Sequence, residues 1–167
     1  MKKSISLVGM AGAGKSSIGK KLADYLGFSF IDSDLLIEAE HQESLQRVLD
    51  KFGKENFLKT EEKALLSIEF NNTVLATGGS AIFSKLAMDY ISNRSSIIFI
   101  DTPYNKIVER VSNFSERGFL KSSDQTIQEA FVERQSLYKH FADYEVANDA
   151  SQEKCLNKIL DLIHQKL

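Results

Sequence analysis

The chain has 167 residues, of which 43% are hydrophobic and 26% charged, and a net charge of -2. That is enough for one ordinary domain, expected over 1–167, with a single core and no need of disulfides or structural metal. The balance excludes a disordered chain and gives no basic field for nucleic acid, leaving room only for a local cationic site facing one anionic ligand.

Lys2 and Lys3 precede an apolar run that superficially resembles a secretory leader. Gly9 and Gly12 interrupt the run, Gly14-Lys15-Ser16 ends it, and no small-residue cleavage site follows. No other stretch approaches the roughly 20 apolar residues needed to cross a bilayer. A cytoplasmic protein without a membrane partner is therefore expected, acting as a monomer. Cys155 is the sole cysteine and reads as a small core hydrophobe. His41, His140 and His164 have no metal spacing.

In chain order, Ile5–Val8, Phe28–Ile31, Thr73–Ala76 and Ser96–Ile100 are short runs rich in β-formers, separated by segments of helical period. Strand alternating with helix predicts a parallel sheet covered on both faces, an α/β fold of three α/β/α layers. The first helix should start within Gly14–Ser17, present Ile18, Leu22 and Leu26 on one face, and stop at Gly27. Ser33 to Glu69 reads as a polar helical lobe, broken at Phe52-Gly53, that folds over the sheet to bind substrate. Residues 112–125, with Gly118 and several serines, have the composition of a mobile lid. A helical stripe follows through Ile127, Ala130, Phe131, Arg134, Leu137, Tyr138 and Phe141, and Ser151–Leu167 forms a last helix packed through Ile159, Leu160 and Ile163.

Ligands gather beyond the carboxyl ends of the strands in such sheets. The first of those places holds Gly9-Met10-Ala11-Gly12-Ala13-Gly14-Lys15-Ser16, which fits G-x-x-x-x-G-K-[ST] between a strand and a helix. Free N–H groups of Gly9, Gly12, Ala13, Gly14, Lys15, Ser16 and Ser17 would cradle phosphate, Lys15 would reach the β- and γ-phosphates of ATP, and the Ser16 hydroxyl would hold Mg²⁺. Neither Asn105-Lys106-Ile107-Val108 nor Asn157-Lys158-Ile159-Leu160 has the aspartate with which a GTPase reads guanine. A kinase acting on a small hydroxylated molecule is the remaining common reading.

After the second strand, Asp32-Ser33-Asp34 offers two acids one residue apart. Asp32 is placed to hold Mg²⁺ and Asp34 to take the proton of an acceptor hydroxyl; alternatively Asp32 simply caps a helix that has Asp34 in its first turn. Asp101, at the end of a Walker-B-like strand, is the alternative metal ligand, although Thr102 as N-cap and Pro103 as first helical residue give it a structural use. Thr77-Gly78-Gly79 lets backbone approach a ligand or makes a tight turn. Arg134, a charge in an apolar stripe, needs an anion, either a structural carboxylate or the ligand. Arg117, beside Gly118, is suited to swing onto the transferring phosphate or else is a solvated loop arginine.

Together, Gly9–Ser16, Asp32-Ser33-Asp34, Phe57 with Glu61, Ala76-Thr77-Gly78-Gly79, Arg110, Arg117 with Leu120, and Arg134 with Tyr138 resemble the shikimate kinase family in order and spacing over nearly the whole chain. The resemblance implies a five-stranded parallel sheet of nucleoside monophosphate kinase type, a closing lid, Mg²⁺-ATP as donor and shikimate as acceptor. It places Asp34 at the acceptor hydroxyls, Gly78, Gly79 and Arg134 at the substrate, Arg117 on the transferring phosphate, and Arg110 with Val146–Ala150 near adenine. The chain departs from the family's pattern at Leu58, where an arginine contacts the substrate carboxylate, at Ser80, the usual third glycine, and after Arg117, where Gly118 replaces a proline.

Overall fold

The computed structural model describes residues 4–112, 114 and 118–166. Five strands form one parallel sheet: β1 (Ser4–Val8), β2 (Ser29–Asp32), β3 (Thr73–Ala76), β4 (Ser95–Asp101) and β5 (Tyr144–Ala147). Their spatial order is β2-β3-β1-β4-β5. β1 and β3 are buried along their whole length, as is β4 up to its last residue, whereas the edge strands β2 and β5 keep partial exposure. This is why the central strands read as unbroken apolar runs rather than as alternation.

The helices are α1 (Lys15–Leu26), α2 (Ser33–His41), α3 (Leu45–Leu66), α4 (Lys85–Ser92), α5 (Tyr104–Arg110), α6 (Ile127–Phe141) and α7 (Gln152–Lys166), with a 3₁₀ turn at Ala81–Phe83. α1 buries Ile18, Gly19, Leu22 and Ala23 and ends where Gly27, at φ 67°, donates its N–H to the Ala23 carbonyl. Each fully buried aliphatic side chain of that stripe contributes about 1.5–3 kcal/mol. α6 is fixed at its start by a reciprocal cap, Thr126 accepting from Glu129 N–H while the Glu129 carboxylate accepts from Thr126 N–H. It buries Ala130, Arg134 and Tyr138, the stripe that the sequence period indicates. Cys155 is buried in the main core, which pushes its thiol up to about 11.

The lobe between β2 and β3 has its own apolar centre, in which Ile37, Leu45, Val48, Phe57 and Ala64 pack with Leu120. α3 is really two helical pieces, because Gly53 at φ 73° and ψ 170° breaks it at the expected place. Of the expected lid, Gly118 donates its N–H to Gln46 Oε1 at 3.0 Å, and Leu120 is buried. Gly118 and Leu120 thus lie against the lobe, whereas Phe119 packs against the main core. Arg117 lies outside the described residues. Among the described residues no helix is long and apolar enough to cross a membrane.

The arrangement brings three loops together. Leu7 is level with Ala76, and Ala76 with Asp32, so the segments after β1, β2 and β3 leave the sheet side by side. Thr77 fastens the third segment to the first, giving both its N–H and its hydroxyl to the Leu7 carbonyl at 3.1 Å.

Contrary to expectation, Thr102 does not cap α5. The helix begins after Pro103, and the Thr102 hydroxyl instead donates to the Ala13 carbonyl at 3.3 Å. Thr102 and Ala13 are both buried, and a buried carbonyl must find donors inside the protein, whereas the start of a seven-residue helix can be left to water.

Candidate active site

The loop between β1 and α1 takes its shape from glycines. Gly12 and Gly14 have φ of 82° and 94°, where a β-carbon would be strained. At Gly9 a β-carbon would also stand 2.9 Å from the Ile100 carbonyl oxygen. The turn is held from beneath, since the Ala13 carbonyl accepts from both Thr102 Oγ1 and Asn148 Nδ2, the latter at 2.9 Å. α1 starts at Lys15 with Gly14 as a cap that offers no side-chain oxygen. Its first N–H groups and the positive end of its dipole are therefore left for an anion.

Beside this loop opens a cavity of about 620 Å³. Its walls include Gly12, Gly14, Lys15, Ser16, Ser17 and Arg110 together with Asp32, Asp34, Gly79, Ser80 and Arg134. Of the residues assigned from sequence, Gly9, Ala13 and Gly78 stand behind the wall instead of on it. Gly9 offers its carbonyl to Lys15 Nζ at 2.8 Å. Ala13 is fully buried. Gly78 leaves the space into which the carboxyls of Glu61 and Asp34 lean, so any side chain there would press on both. Asp101 is directed elsewhere, accepting from Gln135 Nε2 at 3.3 Å beside Glu145.

Lys15 is 7% exposed and also donates to the Met10 carbonyl at 2.9 Å. Burial lowers its pKa to about 8, although Asp34 and Asp32 work in the opposite direction. Asp32 does cap α2, its Oδ1 accepting the Asp34 N–H at 3.0 Å, and it lines the cavity as well. Capping and ligation are compatible in one carboxylate with several lone pairs. Burial, then the neighbouring Asp32 charge, raises Asp34 to about 6. Ser16 and Asp32 put a hydroxyl and a carboxylate at one cavity, hard oxygen donors of the kind that suit a magnesium ion retaining water and phosphate ligands. Arg110 Nη1 is buried without a hydrogen-bond partner, a donor that a bound anion or ring nitrogen would satisfy.

The sequence marks Glu61 only as part of the resemblance, with no role of its own; it is 2% exposed and raised to about 7 by burial and by Asp34. The available signal is its spacing of four from the buried Phe57, which puts both on the inner face of α3. Gln152 also lines the cavity, and nothing in its surroundings in the sequence marks it. Leu58 is part-buried against the lobe's apolar centre. Lys59 turns to solvent and pairs with Glu55 at 2.8 Å, so it does not stand in for a cation at position 58.

The family model described as shikimate kinase matches residues 11–164. The chain belongs to the shikimate kinase family. Its relatives include the shikimate kinases of Haemophilus influenzae, 35% identical over 97% of this chain and 93% of the relative, and of Histophilus somni, 36% identical over 97% and 95%. Among solved structures, the shikimate kinase from Acinetobacter baumannii in complex with shikimate superposes with a TM-score of 0.87 at 31% identity, covering 98% of this chain and 94% of that one. The shikimate kinase from Aquifex aeolicus gives 0.83 at 30% identity, covering 96% of each. The fold is thus the family's five-stranded parallel P-loop kinase fold.

Proposed function

We propose that this protein phosphorylates shikimate, transferring the γ-phosphate of ATP to its 3-hydroxyl and releasing ADP. The observation that carries the reading is one cavity in which a phosphate loop with its lysine meets a carboxylate pair and a buried arginine. Support comes from the family and from the Acinetobacter relative, which was solved in complex with shikimate.

In this reading the loop N–H groups and Lys15 hold the donor phosphates, and Arg110 attends the adenine end. Ser16 and Asp32 would hold magnesium, which when bound neutralises charge across the phosphate oxygens. Gly79 and Arg134 hold the acceptor, the guanidinium of Arg134 meeting the acceptor's carboxylate. Asp34 accepts the hydroxyl proton as the oxygen forms its bond to the γ-phosphorus and the bond to the ADP oxygen breaks. Arg117 meets the charge that builds on the transferring group, and the segment 112–125 closes over it. Residual solvent would hydrolyse ATP, so a lid resting on the lobe also has a protective use. The reading extends to a cytoplasmic enzyme that works as a monomer without nucleic-acid or membrane partners, in keeping with its near-neutral charge.

A second reading follows from Leu58: a related kinase whose acceptor makes one acidic contact instead of two. A coupled ADP-release assay with shikimate and a panel of sugar acids and polyols separates the two. Turnover with shikimate at micromolar to millimolar concentration is expected, and turnover only with another acceptor would replace the first reading by the second.

A further inference from the structure

Beside the cavity stand a buried acid and a buried cation that do not pair. Glu61 and Arg134 are each 2% exposed. Glu61 Oε2 accepts from Ser80 Oγ at 2.5 Å, while its other oxygen lies against Gly78 on the side of Asp34. Arg134 gives its guanidinium N–H groups to the carbonyls of Gly79, at 3.4 Å, and Leu120. The guanidinium also stacks over the rings of Phe119 and Phe83, at 4.3 and 5.2 Å from their centres. Its Nε is buried with no acceptor. Among the described residues no carboxylate forms an ion pair with it.

That separation requires a cause, because a buried carboxyl and a buried guanidinium gain by contact when both have already lost their water. They are near enough for the Arg134 charge to pull the Glu61 pKa downward against the upward push of burial. What stands between them is the Gly79-Ser80 segment. The Gly79 carbonyl accepts from Arg134 and, at 2.7 Å, from the Tyr138 hydroxyl; the next residue, Ser80, takes Glu61 in the other direction. Position 58 lies one helical turn before Glu61 on α3, on the same face, and being leucine it supplies no cation to occupy Glu61. Ser80 is the neutral donor that does so.

We propose that Ser80 is a specificity-determining positioning residue, whose hydroxyl keeps Glu61 off Arg134 so that the guanidinium stays available to an acidic group on the acceptor. The inference rests on the acceptor reading above, in which that group is the shikimate carboxylate. With Leu58 neutral, Arg134 is the cavity-lining cation bound to the Gly79 carbonyl, so whether it is already neutralised decides how well a single carboxylate is held.

The test combines kinetics with crystallography on Ser80→Ala, Ser80→Gly and the double variant Ser80→Ala with Glu61→Gln. Loss of the hydroxyl should raise the KM for shikimate about tenfold while kcat and the KM for ATP stay within about twofold. Adding Glu61→Gln should bring the acceptor KM back toward wild type, which a merely structural defect would not do. Crystals of Ser80→Ala should show the Glu61 carboxylate against the Arg134 guanidinium. An unchanged acceptor KM, a raised KM that Glu61→Gln does not restore, or a Glu61 that stays in place in the Ser80→Ala crystals overturns the proposal. If wild type does not turn over shikimate at all, the acceptor reading fails, and the crystal comparison alone decides the role of Ser80.

Discussion

Replacing Arg134 by methionine removes the guanidinium while keeping an unbranched chain that can lie between Phe83 and Phe119, where sulfur packs well against rings. Two carbonyls lose a donor, but that of Gly79 retains the Tyr138 hydroxyl at 2.7 Å, so only the Leu120 carbonyl is stripped of its side-chain partner. The fold should therefore lose about 1–2 kcal/mol. The acceptor loses more, because a carboxylate drawn from water into that site would face no fixed charge, at a cost of about 2–5 kcal/mol. Even the lower figure corresponds to an acceptor KM about 30 times higher. The KM for ATP should move less, since Lys15 keeps its own partners, the Gly9 and Met10 carbonyls. Coupled ADP release measured over a grid of both substrates reads the two constants separately. A folded Arg134→Met protein whose KM for shikimate stays within about threefold of wild type would refute the assignment of Arg134 to the acceptor.

Leu58→Arg adds a second cation on the inner face of α3 and should lower the KM for shikimate about tenfold; no change in the same assay would mean that the absent guanidinium is not what limits the site. Asp34→Asn should cut kcat by about 10²–10⁴ while fluorescence titration still shows nucleotide binding, and a near wild-type kcat in that variant would remove Asp34 from proton transfer. Glu61 has a folded-state pKa raised from its usual 4.5 to about 7, so the native protein holds that proton more tightly than the unfolded chain does. Its contribution to stability is thus complete below about 4.5 and is lost as pH rises through about 7. Urea unfolding should accordingly show Glu61→Gln gaining on wild type by on the order of 2–3 kcal/mol between pH 4.5 and 8, and a difference that is flat across that range would contradict the raised pKa.

Much of the architecture was legible because it depends on local rules. The apolar runs become strands at the sheet centre, Gly27 closes α1 with a left-handed residue, and Gly53 breaks α3 where its freedom at positive φ is needed. The phosphate loop was legible for the same reason, its function being written into backbone conformation. What stayed hidden depends on contacts between distant segments. Thr102 has every local qualification of an N-cap, yet the Ala13 carbonyl, far away in sequence, takes its hydroxyl. Asp32 takes the helix-capping role that its sequence position allowed and also lines the cavity. Arg134 was recognisable as a buried cation from its apolar stripe, but that it meets carbonyls and rings instead of a carboxylate depends on Ser80 holding Glu61, a pairing across two elements that no helical or strand period reveals.

Transfer of phosphate between two small molecules at one cavity can be observed without a coupling enzyme, by phosphorus NMR of the purified protein with equimolar magnesium-ATP and shikimate. The γ signal should disappear as ADP signals and one new phosphomonoester resonance grow together, in equal amounts. ADP appearing with inorganic phosphate and no phosphomonoester, or an ATP spectrum that does not change, would contradict the account.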